Sequence, residues 1–80
     1  METIQVMVNG APGNVARMVI RQVIRDPRFA LVPCSLTGPE IEEDHCTVEG
    51  VEIRLVRPEA RDSVLDSLDR KAPGVICIDF

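Results

Sequence analysis

Gly10, Gly13 and Ala16 stand three residues apart where an apolar run gives way to a helical pattern, in Val6-Met7-Val8-Asn9-Gly10-Ala11-Pro12-Gly13-Asn14-Val15-Ala16. Residues of these types at this spacing suit the gripping of a pyrophosphate. Gly10 can adopt the backbone angles of a tight strand-to-helix turn, and Gly13, lacking a Cβ, lets a phosphate approach the main chain. Ala16 is small enough for the helix to pack on the strand. The first free N–H groups of that helix, at Asn14 and Val15, point at the ligand with the positive end of the helix dipole behind them. Ala11 and Pro12 complete the turn, and Pro12 removes one donor. The same turn also occurs as a plain connection without a ligand. The apolar strand before it and the amphipathic helix after it favour phosphate binding.

These residues need a scaffold. Residues 4–9 form a first strand rich in Ile, Val and Met, and residues 14–25 a helix with Val15, Met18, Val19 and Val23 at helical spacing. Arg17, Arg21 and Arg25 form an i,i+4 row that should face water. Asp26-Pro27 ends the helix. Residues 29–35 read as a second strand, placed by Pro33 at a sheet edge or at a bulge. An acidic, solubilising loop follows, then two short pieces around Glu49-Gly50 within residues 46–56, as a hairpin or a strand with a turn. Residues 58–71 read as a second amphipathic helix, with Val64, Leu65 and Leu68 as its apolar stripe and Ala72-Pro73-Gly74 as its stop. Val75-Ile76-Cys77-Ile78 reads as a continuous buried strand.

The order strand, helix, strand, hairpin, helix, strand predicts an α/β fold: a Rossmann-like half of a doubly wound parallel sheet. Ligands of such sheets bind beyond the carboxyl ends of the strands. The glycine turn, Ser35, Leu36 and Thr37 after the second strand, and Asp79 and Phe80 after the last would therefore converge on one crevice.

Eighty residues allow one small domain, 1–80, and the two aromatic residues, Phe29 and Phe80, indicate an aliphatic core. A net charge of −4 argues against nucleic acid as a partner. No run is long enough to span a membrane, and strand character from Ile4 leaves no room for a targeting segment. Cys34, Cys46 and Cys77 share no close spacing and read as reduced thiols of a cytoplasmic protein, Cys34 and Cys77 packing as small hydrophobes. His45-Cys46 lacks a second ligand pair, so no metal site is expected, and the pair reads as loop.

The chain resembles the N-terminal, nucleotide-binding domain of dihydrodipicolinate reductase, in particular its plant-type branch. The residues that carry the resemblance are Val8-Asn9-Gly10-Ala11-Pro12-Gly13, Leu31-Val32-Pro33-Cys34-Ser35-Leu36-Thr37-Gly38-Pro39-Glu40, Val51-Glu52-Ile53 and Ile78-Asp79-Phe80. The resemblance implies an NAD(P)H-dependent oxidoreductase of lysine and diaminopimelate biosynthesis. In it Gly10, Ala11, Pro12, Gly13, Asn14 and Val15 would hold the pyrophosphate. Ser35, Leu36 and Thr37 would lie by the adenosine ribose, and Asp79 and Phe80 would approach the nicotinamide. It also implies a substrate domain beyond Phe80, so none of the 80 residues is expected to be catalytic and the chain alone should be inactive. The family's cation after the second glycine is replaced by Asn14, which removes a charge-assisted phosphate contact. The alternative is a stand-alone nucleotide-binding or subunit-interaction module, and an incomplete sheet makes homo-oligomers plausible.

An NADH-specific site places a carboxylate at the end of the second strand. Here no carboxylate precedes Glu40 and no Arg or Lys stands nearby. The site should accept NADPH at least as well as NADH, with the Ser35 and Thr37 hydroxyls as donors and a discrimination on the order of 1 kcal/mol.

Overall fold

The computed structural model describes residues 3–71 and 74–79. The helix stop at Ala72-Pro73 and the site residue Phe80 lie outside them. The fold is α/β, with β1 (Ile4–Val8), α1 (Asn14–Arg25), β2 (Phe29–Leu31), β3 (Cys34–Leu36), β4 (His45–Val48), β5 (Val51–Val56), a 3₁₀ turn at Pro58–Ala60, α2 (Arg61–Lys71) and β6 (Ile76–Ile78).

β1 pairs in parallel with β2 on one side and β6 on the other, with Val6 opposite both Leu31 and Ile76. β3 pairs in parallel with β5, Leu36 opposite Val56, and β4 is antiparallel to β5. The two three-stranded arrays meet in residues 29–36, whose first half serves β1 and whose second half serves β5. Val32 N–H donates to Val6 C=O and Gly10 N–H to Leu36 C=O, each at 2.9 Å, so the segment stays tied to β1 along its length. The lateral order is therefore β4, β5, β3 with β2, β1, β6.

Pro33 thus lies inside the sheet and not at its edge. The strand tolerates it by breaking there: Cys34 N–H turns back to Val32 C=O at 2.8 Å, while Pro33 C=O still accepts from Arg54 N–H at 2.9 Å. Only the missing N–H is lost to the ladder. β4 begins at His45, so the His45-Cys46 pair is strand, not loop. The hairpin turn takes left-handed backbone angles at Glu49 and Gly50 (φ 51° and 78°), the pattern that matches the twist of two-residue hairpins.

The core lies between α1 and one face of the sheet. Val6, Val8, Ile53 and Leu55 meet Ala16, Ile20 and Val23 of the helix, with Val48 and Ala11 at the margins. Truncating the fully buried Ile20 to Ala would cost about 2–5 kcal/mol. The inward stripe is therefore 16-20-23, flanked by Val19 and Ile24. Val15 and Met18, read as part of it, are 57% and 61% exposed, because they share the opposite arc with Gln22 and Arg25. Of the arginine row, Arg17 and Arg25 are exposed, while Arg21 is half-buried. Arg21 and Arg25 both reach Glu49 in the hairpin turn, at 2.9 and 3.0 Å. Such exposed pairs contribute about 0–1 kcal/mol each.

On the other face, α2 approaches the broken strand. Val64 and Leu68 share a gap of about 450 Å³ with Val32, Pro33 and Cys34, so this helix packs loosely. β6 is not the buried strand that its apolar run suggests. Ile76 is 51% exposed, Cys77 is exposed, and Ile78 is half-buried. Among the described residues β6 has a neighbouring strand on one side only, which leaves its outer side uncovered.

Candidate functional site

Every parallel strand that flanks β1 ends on the same side of the molecule, and Asn9 ties those ends together. Its Oδ1 accepts from Leu36 N–H at 3.0 Å, and its Nδ2 donates to Asp79 Oδ1 at 2.6 Å. Asn9 is 6% exposed, so these partners stand in place of water and fix the ends of β1, β3 and β6 relative to one another.

The turn after Asn9 is built by its own backbone. Gly10 has φ +109°, a conformation that side-chain-bearing residues rarely adopt. Gly13 caps α1 with an ordinary φ of −58° and no side-chain cap. Its N–H donates to Gly10 C=O at 3.0 Å, and a Cβ on Gly13 would stand 3.0 Å from that same oxygen. A side chain at 13 would therefore crowd the turn itself, in addition to any approach by a phosphate.

Ala11 is fully buried, and its N–H donates to Ser35 Oγ at 3.0 Å. Ser35 has no exposed surface. The sequence suggests its hydroxyl as a donor to the 2′-phosphate of NADPH, but the structure turns it beneath the loop, where it holds Ala11. Thr37, 5% exposed, anchors through its N–H to Val56 C=O at 2.8 Å while its residue lines the cleft.

The first α1 hydrogen bond runs from Arg17 N–H to Gly13 C=O at 3.0 Å. The amides of Asn14, Val15 and Ala16 precede that ladder and lie at the positive end of the helix dipole. With Ala11 and Gly13 N–H engaged inside the turn and Pro12 having none, these three amides are the donors that the helix end presents.

A cleft of about 650 Å³ opens above these features, within the range of small-molecule sites. Residues 9–13, Leu36, Thr37, Gly38 and Asp79 all line it. Of the residues anticipated from sequence, Gly10, Ala11, Pro12, Gly13, Leu36, Thr37 and Asp79 line it. Asn14 and Val15 stand at the helix start beside it, and Ser35 lies underneath.

Five lining residues were not anticipated as site residues: Asn9, Gly38, Glu40, Ile41 and Arg61. Glu40 folds back so closely that a Cβ on Gly38 would collide with its carboxylate. The loop that carries Glu40 and Ile41 is gathered by Arg57. Its Nη1 donates to the carbonyls of Ile41, Glu42 and Glu43 at 3.4, 3.2 and 3.3 Å, and its Nη2 reaches Asp44 Oδ1 at 2.8 Å. The Asp44 hydrogen bond first, and the charges of Asp44 and Glu59 with it, hold the Arg57 guanidinium more firmly protonated than usual. Arg61 opens α2 and enters the cleft from there. No local motif marks it, since it reaches the site only through the β3–β5 pairing.

Among the described residues no cluster of His, Cys, Asp and Glu could hold a metal ion, and no described helix is long and apolar enough to cross a membrane. No protein-family model matches the chain, and a search of curated proteins gives no significant match.

Proposed function

We propose that this chain is the dinucleotide-binding part of an NAD(P)H-dependent oxidoreductase similar to dihydrodipicolinate reductase, built as a Rossmann-like half of a doubly wound sheet. The observation that carries the reading is the meeting of three strand ends, a glycine turn and an uncapped helix amino end around one cleft of about 650 Å³. A fold of this kind places ligands at that end of the sheet. The amides of Asn14, Val15 and Ala16 would hold the pyrophosphate by hydrogen bonds and dipole alone, without a cation at position 14. The adenosine ribose would lie against Leu36, Thr37 and Gly38, and the nicotinamide would lie toward Asp79.

When bound, the cofactor would provide the hydride for reduction of a cyclic imine, and the protein its position and surroundings. The groups that bind and protonate that substrate belong, in the resembled family, to a separate substrate domain. The chain by itself is therefore an inactive half whose partner is that domain. Alternatively it acts as a nucleotide-binding or subunit-interaction module. The uncovered outer side of β6, with Ile76 half exposed, favours strand-edge association with such a domain or with a second copy.

Calorimetric titration of the chain with NADPH and with NADH tests the proposal. Saturable binding of one equivalent supports it, and heats no larger than dilution for both cofactors reject it. An imine-dependent oxidation of NADPH by the purified chain would contradict its assignment as an inactive half.

A further inference from the structure

We infer that Arg61 is the residue by which the cleft recognises the 2′-phosphate of NADPH, and that it opposes Glu40 in setting cofactor choice. The inference rests on the dinucleotide reading above. Near the end of the second strand the sequence offers neither a carboxylate nor a cation, and the structure brings one of each into the same cleft. Glu40 arrives by folding back onto Gly38, and Arg61 arrives on the first residue of α2.

Their place in the sheet decides which part of the cofactor they meet. β5 lies beside β3 on the side away from β1 and β6, and α2 follows β5 through the 3₁₀ turn at Pro58–Ala60. Arg61 therefore enters beside Leu36, Thr37 and Gly38, at the adenosine end. Arg61 is exposed, and among the described residues no carboxylate lies within ion-pair distance of it, Glu40 included. Its guanidinium is thus available to a ligand, without an internal ion pair to break first.

A guanidinium and a phosphate form a bidentate, charge-assisted contact, whereas a ribose hydroxyl offers arginine only a neutral acceptor. A carboxylate does the reverse, accepting from ribose hydroxyls and repelling a phosphate. Arg61 therefore raises affinity for NADPH, while Glu40 limits that gain and sustains binding of NADH. The preference exceeds the small one expected from the Ser35 and Thr37 hydroxyls, one of which the structure has already committed to Ala11.

The test is calorimetry of NADPH, NADH and 2′,5′-ADP on the full chain as wild type, Arg61→Ala, Arg61→Lys and Glu40→Gln, with circular dichroism to verify folding. Arg61→Ala should weaken NADPH and 2′,5′-ADP by about tenfold or more and leave NADH within about twofold. Arg61→Lys should restore part of the loss, as a point charge without the bidentate fork. Glu40→Gln should strengthen NADPH severalfold and not NADH. Equal effects of Arg61→Ala on both dinucleotides, or no effect on either, would overturn the inference while leaving the dinucleotide reading intact. Wild-type protein that binds neither dinucleotide would overturn both.

Discussion

Asn9 is the residue on which the cleft's geometry depends most, and Asn9→Ala tests that dependence. The substitution removes two hydrogen bonds, one accepted from Leu36 N–H and one donated to the Asp79 carboxylate. An orphaned buried donor costs about 1–3 kcal/mol, and because Asn9 borders the cleft, water can partly replace it at Leu36, so about 1–2 kcal/mol applies. Asp79 is exposed and rehydrates, which limits its share to about 1 kcal/mol. The sum, about 2–3 kcal/mol, is a large fraction of the roughly 4–12 kcal/mol typical of a domain this size. With a urea slope near 1 kcal/mol/M, the midpoint should fall by about 2–3 M. The chain has no Trp or Tyr, so far-UV circular dichroism is the suitable probe. Asn9→Asp separates the two bonds. It keeps an acceptor for Leu36 but sets a second carboxylate against Asp79, so one of the two takes a raised pKa in the folded state. That variant should therefore be unstable at neutral pH and recover on acidification through the carboxylate range. A midpoint for Asn9→Ala within about 0.5 M of wild type would refute the clamp.

Ser35→Ala should cost about 1–3 kcal/mol in urea unfolding, since it leaves the buried Ala11 N–H unpaired; an unchanged midpoint would return Ser35 to the role of a ligand-facing hydroxyl. The Asp26 carboxyl is held down to about 2 by its hydrogen bonds from Arg28. Because the folded pKa lies below the ordinary 3.8, the stabilisation is present above that value and is lost as pH falls toward about 2. The stability difference between wild type and Asp26→Asn should accordingly shrink across that window, and a difference that stays flat would contradict the ion pair. Cys77 is exposed, whereas burial raises the pKa of the Cys34 and Cys46 thiols. Alkylation at mildly alkaline pH, followed by peptide mass mapping, should therefore modify Cys77 first; faster labelling of Cys34 would count against the placement of β3 inside the sheet.

Local chemistry made much of the architecture legible. The end of α1 at Asp26-Pro27, the turn at Glu49-Gly50 and the strand-to-helix junction at Gly10 follow from backbone preferences that neighbours do not alter. What depended on lateral neighbours was hidden. An apolar run such as Val75-Ile76-Cys77-Ile78 reads alike whether it is covered or open on one side, and among the described residues β6 is open. Pro33 argues for an edge or a bulge only if the strand continues through it, and this strand breaks instead. In the cleft, the glycine turn and Thr37 were readable because they lie next to their own strand ends. Arg61 and the returning Glu40 carboxylate were not, because long-range pairing and loop closure by Arg57 bring them there. Ser35 shows the limit of residue type as a guide: a hydroxyl at a strand end serves a ligand or a buried amide according to which side of the strand it faces.

Titration of isotope-labelled chain with NADPH, followed amide by amide in heteronuclear NMR spectra, tests the central claim most directly. The account predicts saturable shifts at Gly10, Gly13, Asn14 and Val15 together with Leu36 and Thr37, fitting one dissociation constant, while amides of the β4–β5 turn at Glu49 and Gly50 stay still. No saturable shift at millimolar cofactor, or shifts centred away from the glycine turn, would contradict it.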